Sequence, residues 1–117
     1  MQLSEMERLL ELSPIVKPVD QGNEVTGGYV SDLLSDVMGN ACAGSVWITI
    51  QAHQNTVAVA VLAELAAIIL SNGVMPDTHT IQKAEDKGIP IYSSPKSTFT
   101  LAGELFQAGV PSTKKQT

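Results

Sequence analysis

The sequence is short of the residues that several kinds of site need. There is one cysteine, Cys42, among 117 residues, so neither an intrachain disulfide nor a thiolate zinc site can form. Seven Lys and Arg face twelve Asp and Glu, for a net charge of -5. The basic residues are scattered from Arg8 to Lys115 and build no footprint for DNA, RNA or an anionic membrane. Aromatic residues make up 4%, too few for a platform on which bases stack. The start, Met1-Gln2-Leu3-Ser4-Glu5, has no basic or apolar region of a secretory signal. The longest apolar run, Val57 to Leu70, contains Glu64 and falls short of the roughly 20 residues that span a bilayer. A cytoplasmic location is expected.

What is present is small and apolar. Hydrophobic residues reach 44%, mostly Ala, Val, Leu and Ile. The length suits one domain that buries roughly two-thirds of its unfolded surface. The expected organisation is one α/β domain over residues 1–110 and a polar tail over 111–117. Ser4-Glu5-Met6-Glu7 fits a capping box for a first helix carrying Leu3, Met6, Leu9 and Leu10, closed near Ser13 by Pro14. Ile15 to Val19 fits a short strand held at a sheet edge or end by Pro18. Asp20 to Asn23 is a turn cluster. Val25 to Val30 fits a second strand, in which Gly27 and Gly28 imply a bulge or a close backbone approach.

Ser31 or Asp32 is expected to cap a short helix with Leu33, Leu34, Val37 and Met38, ended by Gly39-Asn40. Ser45 to Gln51 is rich in strand formers. Val57 to Leu70 divides into a buried helix from about Asn55 to Leu65 and a strand from Ala66 to Leu70, which supplies the crossover that parallel strands require. Pro76-Asp77 opens a helix with Ile81 and Ala84 inward, stopped by Gly88. Ile89 to Tyr92 reads as a short edge strand. Ser97 caps a last helix carrying Phe99, Ala102, Leu105 and Phe106, ended by Gly109. Ser112 to Thr117 is expected to fray.

Strands thus alternate with helices from Val25 onward. This predicts a mainly parallel sheet of about four to five strands with helices on both faces. Ligands on such sheets bind outside the carboxyl ends of the strands. Those ends are expected near Gly28 to Asp32, Gln51 to Asn55, Ser71 to Gly73 and Ser93 to Ser97.

Chemistry-bearing patterns are sparse. Gly22 to Gly28 begins like a P-loop, but Gly28 and Tyr29 stand where Lys and Ser or Thr belong, and no helix follows. A glycine bulge that lets another segment pack is the plainer role. Gln51-Ala52-His53-Gln54-Asn55 lies between a strand and a helix. Asn55 or Thr56 there fits a helix cap, while His53 and free N–H groups could meet an anion. Lys96 reads as a solvated cation near an N-cap, and Asp32 with Asp36 as a surface carboxylate pair. Cys42 sits between alanines and suits a small buried or turn position. No acid–base dyad, catalytic triad or metal site emerges, and no cofactor is implied.

Glu24-Val25-Thr26-Gly27-Gly28 resembles the signature of the DRTGG domain family, with Glu24-Val25 in place of the opening Asp-Arg. Further runs are similar to stand-alone members: VTGGYVSDLLSDVM from Val25, VWITIQAHQN from Val46, AAIILSNGVMPD from Ala66 and AEDKGIPIYSS from Ala84. The resemblance covers about residues 1–110. It implies an α/β fold like the N-terminal domain of HPr kinase/phosphorylase, without the kinase machinery. Similar domains occur in some phosphate acetyltransferases and beside CBS domains in some pyrophosphatases, where they dimerise and border an adenine-nucleotide site. Loss of the signature Arg removes any anion contact it makes in relatives.

The resulting expectation is a non-catalytic regulatory domain, not an enzyme. It would bind a small phosphorylated ligand or adenine nucleotide as a homodimer, near Thr26, Gly27, Gly28, His53, Asn55 and Ser71. The alternative is a protein-interaction subunit with no small ligand, paired with itself or with a larger enzyme.

Overall fold

The strand residues form one sheet with an apolar core on each face. The computed structural model describes residues 1–19 and 23–115. The strands are β1 (Ser13–Val16), β2 (Gly27–Val30), β3 (Ser45–Thr49), β4 (Ala67–Leu70) and β5 (Ile91–Ser93). The helices are α1 (Leu3–Leu9), α2 (Leu34–Asn40), α3 (Gln54–Leu62), α4 (Thr78–Lys87) and α5 (Thr98–Gln107). The sheet order is β1-β5-β4-β3-β2. β2 to β5 run parallel and β1 is antiparallel to β5.

Pleating sends alternate residues to opposite faces. The row Tyr29–Trp47–Ile68–Ile91 faces one core with Val37, Val57, Ala60 and Ala84 of α2, α3 and α4. The row Val30–Ile48–Ile69–Tyr92 lies on the other face. There Ile48, Ile69 and Tyr92 pack with Leu3 and Met6 of α1 and Leu101 and Leu105 of α5. Both faces being covered explains why β3 and β4 read as unbroken apolar runs.

Several local expectations shift. α1 starts two residues earlier than expected, with Gln2 at its N-cap and no side-chain cap bond; Ser4 lies inside the helix. Pairing of Gln2 with Glu24, and a bond from the Met1 ammonium to the Glu24 carboxylate at 3.0 Å, fix this end. The turn cluster expected from Asp20 falls largely outside the described residues. The first strand is Ser13–Val16, so Pro14, not Pro18, sits in the edge strand. β5 is interior, not an edge. Pro90 precedes it and still accepts the Ile68 N–H through its carbonyl at 3.0 Å, so its missing N–H does not interrupt the strand.

β2 pairs in unbroken register with β3, so Gly27 and Gly28 form no bulge. Neither Ser31 nor Asp32 is the N-cap of α2; Leu33 is. α3 stops at Leu62, because Glu64 turns at positive φ. Phe99 and Phe106 point outward, 88% and 71% exposed, while Leu101 and Leu105 take the inner side of α5. Of the segment expected to fray, the described residues 112–115 are bonded to β2 and α2, and the last two residues lie outside the described ones. Gly28 N–H donates to the Pro111 carbonyl at 2.9 Å, and Lys115 N–H to the Asn40 carbonyl at 2.8 Å. No helix among the described residues is long and apolar enough to cross a membrane.

Tyr92 is fully buried, and its hydroxyl has no hydrogen-bond partner among the described residues. Burial first, and the Glu7 charge second, push its pKa up to about 12. A folded value above the unfolded one gives stability that is complete below about pH 10 and lost as pH climbs through 12. Tyr92→Phe is therefore expected to lessen alkaline unfolding. At pH 7 it should be neutral or stabilising by about 1 kcal/mol, since an unsatisfied buried hydroxyl is removed. Urea denaturation at pH 7 and pH 11 checks both outcomes.

Candidate functional site at the two ends of the sheet

The six residues expected to surround a ligand lie at opposite ends of the sheet. Thr26 and Gly27 are level with Gly44 and Ser45, at the amino end of β3. Gly28 is the second residue of β2, so the carboxyl end of that strand begins at Ser31. His53, Asn55 and Ser71 follow β3 and β4, at the carboxyl end. A five-residue strand separates the groups by roughly 15 Å. The same topology puts Cys42, before β3, at the end away from His53.

At the amino end, each signature residue has a packing role. Thr26 N–H donates to the Gly44 carbonyl at 3.0 Å. Gly44 has φ 83, and a Cβ there would lie 2.6 Å from the Thr26 hydroxyl. A Cβ on Gly27 would fall on the Thr113 side chain. Because Gly27 has none, Thr113 Oγ1 reaches Ser45 Oγ at 2.8 Å. A Cβ on Gly28 would lie 3.0 Å from Leu105 Cδ2, which is how closely α5 approaches the sheet. The paired glycines thus serve close approach, as a strand glycine often does.

At the carboxyl end, His53 is exposed and is the N-cap of α3, its Nδ1 accepting the Asn55 N–H at 3.2 Å. Asn55 is exposed beside it. Ser71 is fully buried and shares a 2.6 Å hydrogen bond with Thr98. α3 and α4 leave the sheet toward one face and α5 toward the other, so the switch point lies between β4 and β5. That crevice is closed by the chain itself: Asn72 N–H donates to the Lys96 carbonyl at 2.8 Å and Gly73 N–H to the Ser94 carbonyl at 2.9 Å. Below the α3 and α4 N-termini, Thr56 and Thr80 line a narrow cavity with Gln51 and Pro76, with no room for a water-sized sphere. Both hydroxyls lack a partner among the described residues.

Lys96 does not face this end. Its Nζ donates to Glu104 at 3.0 Å, Glu11 at 3.2 Å and the Leu10 carbonyl, and the Glu104 bond leads in raising its pKa. Asp32 and Asp36 do not act as a pair. Asp32 accepts from Thr49 Oγ1 at 2.8 Å and Ile50 N–H at 3.0 Å, which ties the loop after β2 to the end of β3. Asp36 accepts from Tyr29 Oη at 2.9 Å and Asn40 Nδ2 at 2.9 Å. The hydroxyls of Ser31 and Tyr29, with the Asn40 amide, hold its carboxyl below the usual range. Trp47 Nε1 donates to the Ser31 carbonyl at 2.8 Å. Among the described residues, no three His, Cys, Asp or Glu gather as metal ligands. Sequence reading missed the Asp32 and Trp47 contacts, because they join segments whose adjacency only the sheet order reveals.

The family model described as the DRTGG domain matches residues 32–108. This is well over half of the chain, and the protein belongs to the DRTGG domain family. The matched span begins after Thr26-Gly27-Gly28, so membership rests on the body of the fold. No curated protein matches the chain. Among solved structures it is similar to the crystal structure of the CBS and DRTGG domains of the regulatory region of Clostridium perfringens pyrophosphatase, complexed with the activator diadenosine tetraphosphate. The TM-score is 0.67 at 14% identity, over 93% of this chain and 47% of that one. The chain therefore spans about half the length of that structure, and the likeness is one of fold.

The gap at Gly27 yields a test. Gly27→Ala is expected to cost about 1–3 kcal/mol by overpacking against Thr113. In a Thr113→Gly background the same change should cost less, with a coupling of about 0.5 kcal/mol or more. Urea denaturation of the four proteins measures both.

Proposed function

We propose that the protein is a non-catalytic, cytoplasmic regulatory domain that binds a small phosphorylated ligand or adenine nucleotide and works as a homodimer. The observation that carries this reading is membership of the DRTGG family, joined to the fold shared with a regulatory region crystallised with a dinucleotide activator. In this proposal His53 and Asn55 contact the ligand at the N-terminus of α3, where backbone N–H groups favour an anion. Ser71 sits behind them, and Thr26, Gly27 and Gly28 hold the other end of the sheet. With Lys96 bound to Glu11 and Glu104, recognition in this proposal draws on the backbone N–H groups of α3 and the Asn55 amide, and salt affects it less than it does a Lys- and Arg-lined site. A second reading, an interaction subunit that takes no small ligand, draws on the exposed phenylalanines of α5.

Thermal-shift and calorimetric titrations with AMP, ADP, ATP and diadenosine tetraphosphate test the first reading. A ligand at 100 times its Kd is expected to stabilise the fold by about 2.7 kcal/mol. Asn55→Ala and His53→Ser should weaken that response, the serine keeping the helix capped. No stabilisation by any of the four at millimolar concentration sinks the ligand reading and leaves the interaction subunit.

A further inference from the structure

Helix α5 is apolar on two sides. Leu101 and Leu105 are buried against the sheet. Phe99 and Phe106, the only two phenylalanines in the sequence, face outward at 88% and 71% exposure. Between them lie Ala102 and Gly103, and nothing stands within 4 Å of a Cβ built on Gly103. Positions 99, 102, 103 and 106 share one helix face, and that stripe carries no charge. Beside it runs an apolar groove of about 400 Å³ between α5, the β2 edge and Val110–Ser112, with Phe106 in its wall. Val30, in the same groove, is 47% exposed.

We infer that this face is where two copies of the chain meet, with α5 of one packed antiparallel on α5 of the other. The inference rests on the homodimer of the proposed function and names its contact. The occupant follows from self-complementarity. Around a twofold axis beside Ala102 and Gly103, Phe99 of each copy meets Phe106 of the other. The small residues fall at the crossing, where backbones must approach, and an aromatic pair closes each flank. One operation satisfies both phenylalanines, as an isologous contact requires. An unrelated partner would have to supply this complement; a second copy already carries it. Four phenylalanines burying about 150–250 Å² each supply a large part of the roughly 1,600 Å² of a standard interface. Val30 and the groove walls lie where the remainder is needed.

Sedimentation velocity on the full chain over a concentration series tests this. The wild type is expected to sediment as a dimer of the 12.4 kDa chain. Phe99→Glu, Phe106→Glu and Gly103→Trp should each weaken the dimer about tenfold or more. Circular dichroism should show all three still folded, since none of the positions is buried. In a Cys42→Ser background, Gly103→Cys should oxidise to a covalent dimer, because the axis brings these positions together. A wild type that is monomeric throughout overturns both this inference and the homodimer. A dimer unmoved by all three substitutions overturns this contact alone and leaves the homodimer standing. The nucleotide titrations are read separately and bear on the ligand alone.

Discussion

Gly27 and Gly28 leave the amino half of β2 without side chains, and two segments distant in sequence fill the gap on its two faces. Thr113 lies over Gly27 and bonds Ser45 beyond it, while Leu105 of α5 rests on Gly28. Much else follows from this constraint. The C-terminal segment can run beside β2 because its carbonyl at Pro111 reaches the Gly28 N–H. α5 can lie low on the sheet, so its inner leucines are consumed by the core. An added methyl at either glycine would push out the strap or the helix. The outer groove and the exposed aromatic face exist because both segments are held down there.

The same constraint changes how a glycine signature should be weighed. Paired glycines before a strand suggest a surface for phosphate, since backbone N–H groups can come close to an anion. Here the N–H of Gly28 is already given to Pro111, and the space above Gly27 to Thr113. The Thr-Gly-Gly run thus has a packing role at each of its three positions. At the carboxyl end the loops after β4 and β5 are bonded to each other, and His53, Gln54, Asn55 and Asn72 are exposed polar residues.

The alternation of strands and helices was legible because each strand from β3 onward is a compact run of β-branched and aliphatic residues between turn signals. Val46–Ile50 and Ile68–Leu70 show this plainly. The same apolar continuity predicted burial on both faces. Sheet order was not legible. Pro90 made β5 look like an edge, yet a proline just outside the first ladder residue costs no bond. The inward side of α5 was not legible either: a helix with leucines on one side and phenylalanines on the other has no single apolar stripe. Periodicity cannot say which side meets the sheet. The position of the candidate residues along the sheet was not legible either, because it depends on where β2 starts and what it pairs with. β2 begins at Gly27 and not at Val25, so the glycines are its first two residues, level with the amino end of β3.

α5 connects the two ends that the glycines and His53 mark. Its first turn is tied to the carboxyl end through the 2.6 Å Ser71–Thr98 bond, and the loop before it through Asn72 and Lys96. Its last turn passes through Gly109 into the strap on β2. For a ligand beside Ser71 to be felt at the α5 face, it must bind one placement of this helix more tightly than another. The inner leucines resist sliding, since a packed core shifts between discrete arrangements and does not deform smoothly. The Ser71–Thr98 and Asn72–Lys96 bonds are thus two ties between the β4 loop and the start of α5. Both lie at the shared root of the β4 loop and α5, outside the two apolar cores.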